Sequence, residues 1–146
     1  MSKDILIIES GSGGDIVIKD NDIATTRMLN NQVYLALFGG NFKSDVGEQN
    51  FDYWANDSLS NEHRFKSEFE RTLTEVALNT SGIRTIEYAV KKDLEYLKKY
   101  VKIEVDASIL RKDLLSLYIR LISPNNVEEK IRIVWNNEVK QVTSWQ

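Results

Sequence analysis

The chain has 146 residues, no cysteine, one histidine and a formal net charge of −3 from 19 basic and 22 acidic side chains. Those counts exclude disulfides, thiolate metal centres and thiol nucleophiles, and they weigh against zinc and against an electrostatic grip on nucleic acid. The length suits one domain able to bury roughly 68–70% of its unfolded surface, so it needs no metal or disulfide staple. A hydrophobic content of 42% and a single proline speak against disorder. No apolar run approaches the ~18 residues of a membrane span, and Met1-Ser2-Lys3-Asp4 lacks a secretory core. The cytoplasm is therefore the expected place of synthesis.

Ile5-Leu6-Ile7-Ile8 predicts a strand, turned by the glycine-rich run ending at Gly13-Gly14, with Asp15 to Ile18 pairing back as a hairpin. The loop leads into a strand and lacks a Lys-Ser/Thr ending, so it does not read as a phosphate loop. Asp20-Asn21-Asp22 is turn chemistry. A first helix is predicted from Thr26 to Phe38, capped by Thr25 or Thr26 and stopped by Gly39 in a left-handed conformation. Its buried stripe is Met28, Leu29, Val33, Ala36 and Leu37.

This stretch resembles the start of the Mu-like phage baseplate proteins, which belong with the wedge or sheath-initiator family of contractile tails. The matching residues are Gly14, Asp15, Ile23, Ala24, Thr25, Leu29, Leu35, Leu37 and Phe38, with Tyr53-Trp54 as a second partial match. The order of elements after them is also similar. The wider family carries a Glu-Pro-Arg motif after the first helix. The only proline here is Pro124, which favours the Mu-like branch.

The resemblance implies a structural subunit of the baseplate that helps to start the contractile sheath. Its expected partners are other wedge proteins and tail sheath or tube proteins. It implies assembly in the host cytoplasm followed by residence in the virion, or in a related injection machine. No catalytic residue, metal ligand or cofactor is expected, nor binding to nucleic acid, a membrane or a small-molecule substrate. Two further readings stand beside it. One is a small tail-associated peptidoglycan hydrolase, since members of the wider family are sometimes called lysozyme-like. The other is an adaptor binding through its aromatic loop.

That loop, 39–60, is polar and acidic yet carries Phe42, Phe51, Tyr53 and Trp54. These aromatics either pin the loop to its own domain or meet a partner. A second helix is predicted from Asn61 to Leu78 with Phe65, Phe69, Leu73 and Val76 on one face. His63 near its start reads as a solvated surface residue. Ser81 is expected to cap a third helix, Ile83 to Tyr100, buried along Ile83, Ile86, Val90, Leu94 and Leu97. The cations Arg84, Lys91, Lys92, Lys98 and Lys99 are interleaved with Glu87, Asp93 and Glu95, which reads as a solvated face with local ion pairs.

From Val101 the apolar period becomes two. Val101, Ile103 and Val105 alternate with Lys102, Glu104 and Asp106. After a turn at Arg111-Lys112-Asp113, Leu115, Leu117, Ile119 and Leu121 alternate in turn. Pro124-Asn125-Asn126 and Asn136-Asn137 bound a strand with Ile131, Ile133 and Trp135, and Glu138 to Trp145 forms a last one.

The expected fold is thus α+β: an N-terminal strand or hairpin (1–25), a helical part (26–100) and an antiparallel meander of three to four strands (101–146) in one domain. Sheath subunits of such tails share strands, so strand addition at an exposed sheet edge is the expected mode of contact. The candidate interface residues are Val101, Ile103, Val105, Ile131, Ile133 and Trp135 on two strands, with Phe51, Tyr53 and Trp54 in the loop. No two acids stand out as a catalytic pair, and the loop acids Asp45, Glu48, Asp52 and Asp57 lack calcium-site spacing.

Overall fold

The computed structural model describes residues 3–10, 14–26, 29–39 and 67–146. The protein is α+β, with three helices among the described residues set against a four-stranded antiparallel sheet. The sheet strands are β7 (Lys102–Arg111), β8 (Leu114–Ile122), β9 (Glu128–Asn136) and β10 (Gln141–Trp145), in the spatial order β10-β9-β8-β7. Asp113, Asn126 and Lys140 in the connecting turns take positive φ angles of 61°, 61° and 55°. Short tight connections of this kind are what hold consecutive strands antiparallel.

Alternation decides the buried face. Leu115, Leu117, Ile119 and Leu121 of β8 and Ile131, Ile133 and Trp135 of β9 all point into the core. β10 needs a correction to its period, since Val142 and Trp145 are three apart and both buried. A register shift between Val142 and Ser144 supplies it, setting Val142 opposite Trp135 and Trp145 opposite Ile133.

The helices are α1 (Asn30–Phe38), α2 (Glu68–Glu75) and α3 (Thr80–Asp93), the last continued by a 3-10 turn over Glu95–Leu97. α3 packs on β7, α2 on α3, and α1 on α2. Val33, Leu37, Phe69, Leu73, Ile86, Val90, Leu94 and Leu97 join the inward strand residues in one core. Asn79 caps α3, its side chain accepting the Gly82 N–H at 2.8 Å. The expected Ser81 cap is therefore displaced by two residues, because Thr80 already begins the helix.

Two expectations for α1 are corrected. Thr25–Thr26 does not cap it but forms β6, paired with β1 (Asp4–Ile5). Gly39 ends it in the right-handed region, at φ −88° and ψ −11°, with its N–H donating to the Leu35 carbonyl at 2.7 Å. The other helices are shorter than expected: α2 stops before the extended residue Val76, and α3 gives way to the 3-10 turn.

The N-terminal strands form more than a hairpin. β2 (Ile7–Glu9) pairs with β3 (Gly14–Ile16), β4 (Ile18–Lys19) pairs with β5 (Asp22–Ile23), and β6 returns to β1. Three chain segments thus pair two by two around a triangle. Asn31 of α1 fastens it: its Oδ1 accepts the Ile7 N–H at 3.0 Å and its Nδ2 donates to the Ile5 carbonyl at 2.6 Å. A buried amide in this position completes backbone groups that no strand reaches.

Candidate protein–protein interface at the sheet edge

The sheet has two edges, and they are treated differently. β10 carries Trp145, which packs on Tyr34 and Phe38 of α1, and β2 lies against the strand. β7 forms the other edge, and among the described residues no strand pairs with its outer side.

The direction of the free groups on β7 follows from one contact. The Ala107 N–H donates to Glu87 Oε1 of α3 at 3.0 Å, so it points away from β8. Hydrogen-bonding direction alternates along a strand, and the β7–β8 register is regular from Lys102 to Ile109. The N–H and C=O of Ile103 and Val105 therefore also face outward. Beyond Ala107 the edge is spoiled by a register shift between Ile109 and Arg111. The usable edge is short and lies over the Val101–Asp106 stretch.

The side chains of Val101, Ile103 and Val105 are half-buried against the core. On the opposite face Arg120 joins β7 to β9: its Nη1 donates to Glu104 Oε2 at 2.6 Å and its Nε donates to Glu128. Lys102 adds a contact to Glu104 at 3.1 Å. These donors, Lys102 first, hold the Glu104 carboxyl below its ordinary range. Solvent screens exposed pairs of this kind, so they tie down the strand's outer face more than they stabilise the fold.

The second candidate strand is corrected. β9 lies between β8 and β10, and Ile131, Ile133 and Trp135 are only 1%, 1% and 5% exposed. Arg132 exchanges N–H and C=O bonds with Gln146 at 2.9 Å each, so the alternate residues Ile131 and Ile133 bond toward β8. Their apolar alternation signals a core strand, and the same pattern on β7 signals an edge; neighbours, not sequence, distinguish the two. Phe51, Tyr53 and Trp54 lie outside the described residues, as do His63, Phe65 and Met28.

Two carboxylate arrangements were not legible in the sequence. The first is at the start of α2, where Asp93 accepts the Glu68 N–H on Oδ1 at 2.9 Å and the Phe69 N–H on Oδ2 at 2.8 Å. A side chain from α3 thus performs the capping that α2 lacks locally. Burial pushes the Asp93 carboxyl up to about 7, against the pull of the two backbone donors.

The second joins Glu9 of β2, Tyr34 of α1 and Glu70 of α2. Tyr34 bonds Glu9, and burial with the two nearby carboxylates pushes the phenol up to about 12. Burial, then the charge of Glu9, pushes Glu70 up to about 7. Among the described residues no group of three or more His, Cys, Asp or Glu gathers as a metal site, and no helix is long and apolar enough to cross a membrane.

No family model, curated protein or solved structure matches the chain significantly.

Proposed function

We propose that this chain is a structural subunit of a contractile-tail baseplate, a wedge or sheath-initiating component that acts by protein–protein assembly and not by catalysis. Its partners are sheath, tube or other wedge proteins, met in the host cytoplasm during assembly and kept in the virion baseplate. The sequence features from Gly14 to Phe38 support the tail reading. The observation that carries the mode of action is the outer side of β7, where the backbone groups of Ile103 and Val105 face outward and no strand among the described residues pairs with them. An added strand gains main-chain hydrogen bonds there with little demand on side-chain identity.

The test is co-expression with the neighbouring genes and purification on a tag, with Val105→Pro as the probe. Proline at position 105 removes only an outward N–H, so β7–β8 pairing survives. Recovery of sheath and wedge proteins with the parent chain, and their loss with Val105→Pro, is the expected outcome. A chain recovered alone overturns the reading.

One observation favours a second reading. Glu9 and Glu70 are a neighbouring carboxylate pair, and Glu70 is raised toward the range of a general acid. A peptidoglycan-cleaving activity that vanishes in Glu70→Gln establishes it; inactivity of the parent chain removes it.

A further inference from the structure

We infer that the outward face of α3 and the turn after it is a docking surface for an acidic stretch of a partner protein. This face is distinct from the β7 edge, and the inference does not rest on the tail-assembly reading.

In sequence, six cations between residues 84 and 102 alternate with three acids, and the run reads as self-neutralising. The fold separates the two charges. Glu87 turns to the sheet edge and accepts the Ala107 N–H. Asp93 turns under α2 and accepts two backbone N–H groups there. Lys92 is matched by Glu68 of α2 at 2.8 Å. Arg84, Lys91, Lys98 and Lys99 are left exposed, with Glu95 as the one exposed acid of this run.

Arg84, Tyr88, Lys91 and Glu95 recur at helical steps, opposite the buried Ile86, Val90 and Leu94. Tyr88 is 67% exposed and Tyr100 57%, while Lys99 Nζ stands 5.0 Å from the centre of the Tyr100 ring. Lys91 lies in the last turn of α3, where the helix dipole favours a cation. No such reason applies to Arg84 near the start of the helix, nor to Lys98 and Lys99 beyond its end. Exposed tyrosines supply the rigid, amphipathic contact area enriched at interface centres, and the flanking cations supply donors for carboxylates and the charge complementarity that steers and orients a partner. An acidic protein segment fits better than nucleic acid, because the exposed Glu95 interrupts the cations and no continuous basic track runs along the face for a phosphate backbone to follow.

The test uses the full chain and two labelled probes, a short glutamate–tyrosine copolymer and a thymidine oligonucleotide of equal charge, followed by fluorescence anisotropy at low salt. The copolymer is expected to bind. Joint reversal by R84E, K91E, K98E and K99E should weaken it about tenfold or more, since several screened charge contacts are lost together. Reversal at the exposed Lys112 and Lys130 should change nothing. The charge-neutral pair Tyr88→Ala with Tyr100→Ala should also weaken binding about tenfold, and it carries the test if the reversed chain fails to fold. Absence of copolymer binding, or binding indifferent to both sets of variants, overturns the inference. Tighter binding of the oligonucleotide, lost in the same variants, also overturns it and assigns the face to nucleic acid.

Discussion

Glu87 of α3 and Ala107 of β7 are joined by a hydrogen bond, 3.0 Å from the backbone N–H to the carboxylate Oε1, and that bond closes one end of a sheet edge that no other strand among the described residues covers. Exposed edges are sites of unwanted pairing, and a charged side chain aimed at the edge is one way to limit it. The bond therefore sets both the stability of the α3–β7 contact and the length of strand on offer to a partner.

Glu87→Ala should separate these effects. Loss of a charged acceptor from a partly buried N–H costs about 1–3 kcal/mol, read as a lower urea midpoint with an unchanged slope. The same variant lengthens the free edge from Val105 to Ala107. It should therefore raise concentration-dependent self-association in sedimentation, and Val105→Pro in the same chain should reverse that gain. An unchanged midpoint would show that the bond contributes nothing to stability.

The fold class and most of the sheet were legible because alternation and turn residues carry them. Leu115 to Leu121, Asp113 and Asn126 suffice to place β8 and its turns. The bulge in β10 was not legible, since it depends on where Trp145 meets Ile133 across the sheet. Nor was the edge: Ile103 and Ile133 sit in equally regular patterns, yet among the described residues one strand has a neighbour on one side and the other on both. The inward roles of Glu87 and Asp93 escaped for the same reason. Their partners, Ala107 and the start of α2, lie some twenty residues away, and no local spacing encodes them.

Asn31 tests how the N-terminal triangle is held. Its side chain bonds Ile5 and Ile7 of the chain and also donates to Asp4 Oδ2 at 3.0 Å. Asn31→Leu fills similar volume but leaves a part-buried N–H and C=O without partners, at a cost of about 1–3 kcal/mol. Hydrogen exchange should accelerate at Ile5 to Ile7 well before it does in β8. Equal protection in both regions would mean that the triangle unfolds only with the sheet.

The buried carboxyls give stability a pH dependence of unusual sign. Glu70 is raised from 4.5 to about 7, and Asp93 from 3.8 to about 7, chiefly by burial. Between those limits the folded chain binds more protons than the unfolded chain. Stability from these groups is present below the unfolded pKa and is lost as pH rises through the folded one. The thermal midpoint should thus fall as pH increases from about 4.5 to about 7. Glu70→Gln removes one of these contributions and should flatten the profile, leaving those of Asp93 and of Glu129, whose carboxyl burial also raises. A midpoint that climbs over this interval would contradict the burial of both groups.

Gly82 offers a prediction in which the ordinary rule is reversed. Replacing a glycine inside a helix by alanine normally stabilises it, by about 0.5–1 kcal/mol, because glycine loses more freedom on folding. At Gly82, in the first turn of α3, an added Cβ would stand 1.8 Å from the carbonyl oxygen of Ala77. That oxygen is main chain and also accepts the Asn79 N–H at 3.0 Å, so it cannot move without disturbing the Asn79 cap. Gly82→Ala should therefore destabilise by about 1–3 kcal/mol, the usual range for overpacking. At roughly 2–4 °C per kcal/mol for a chain of this size, the drop in Tm is readily resolved by calorimetry. The exposed neighbour Ser81→Ala should leave Tm nearly unchanged, and a Gly82→Ala chain as stable as the parent would mean that the α2–α3 connection is free to move away from the helix.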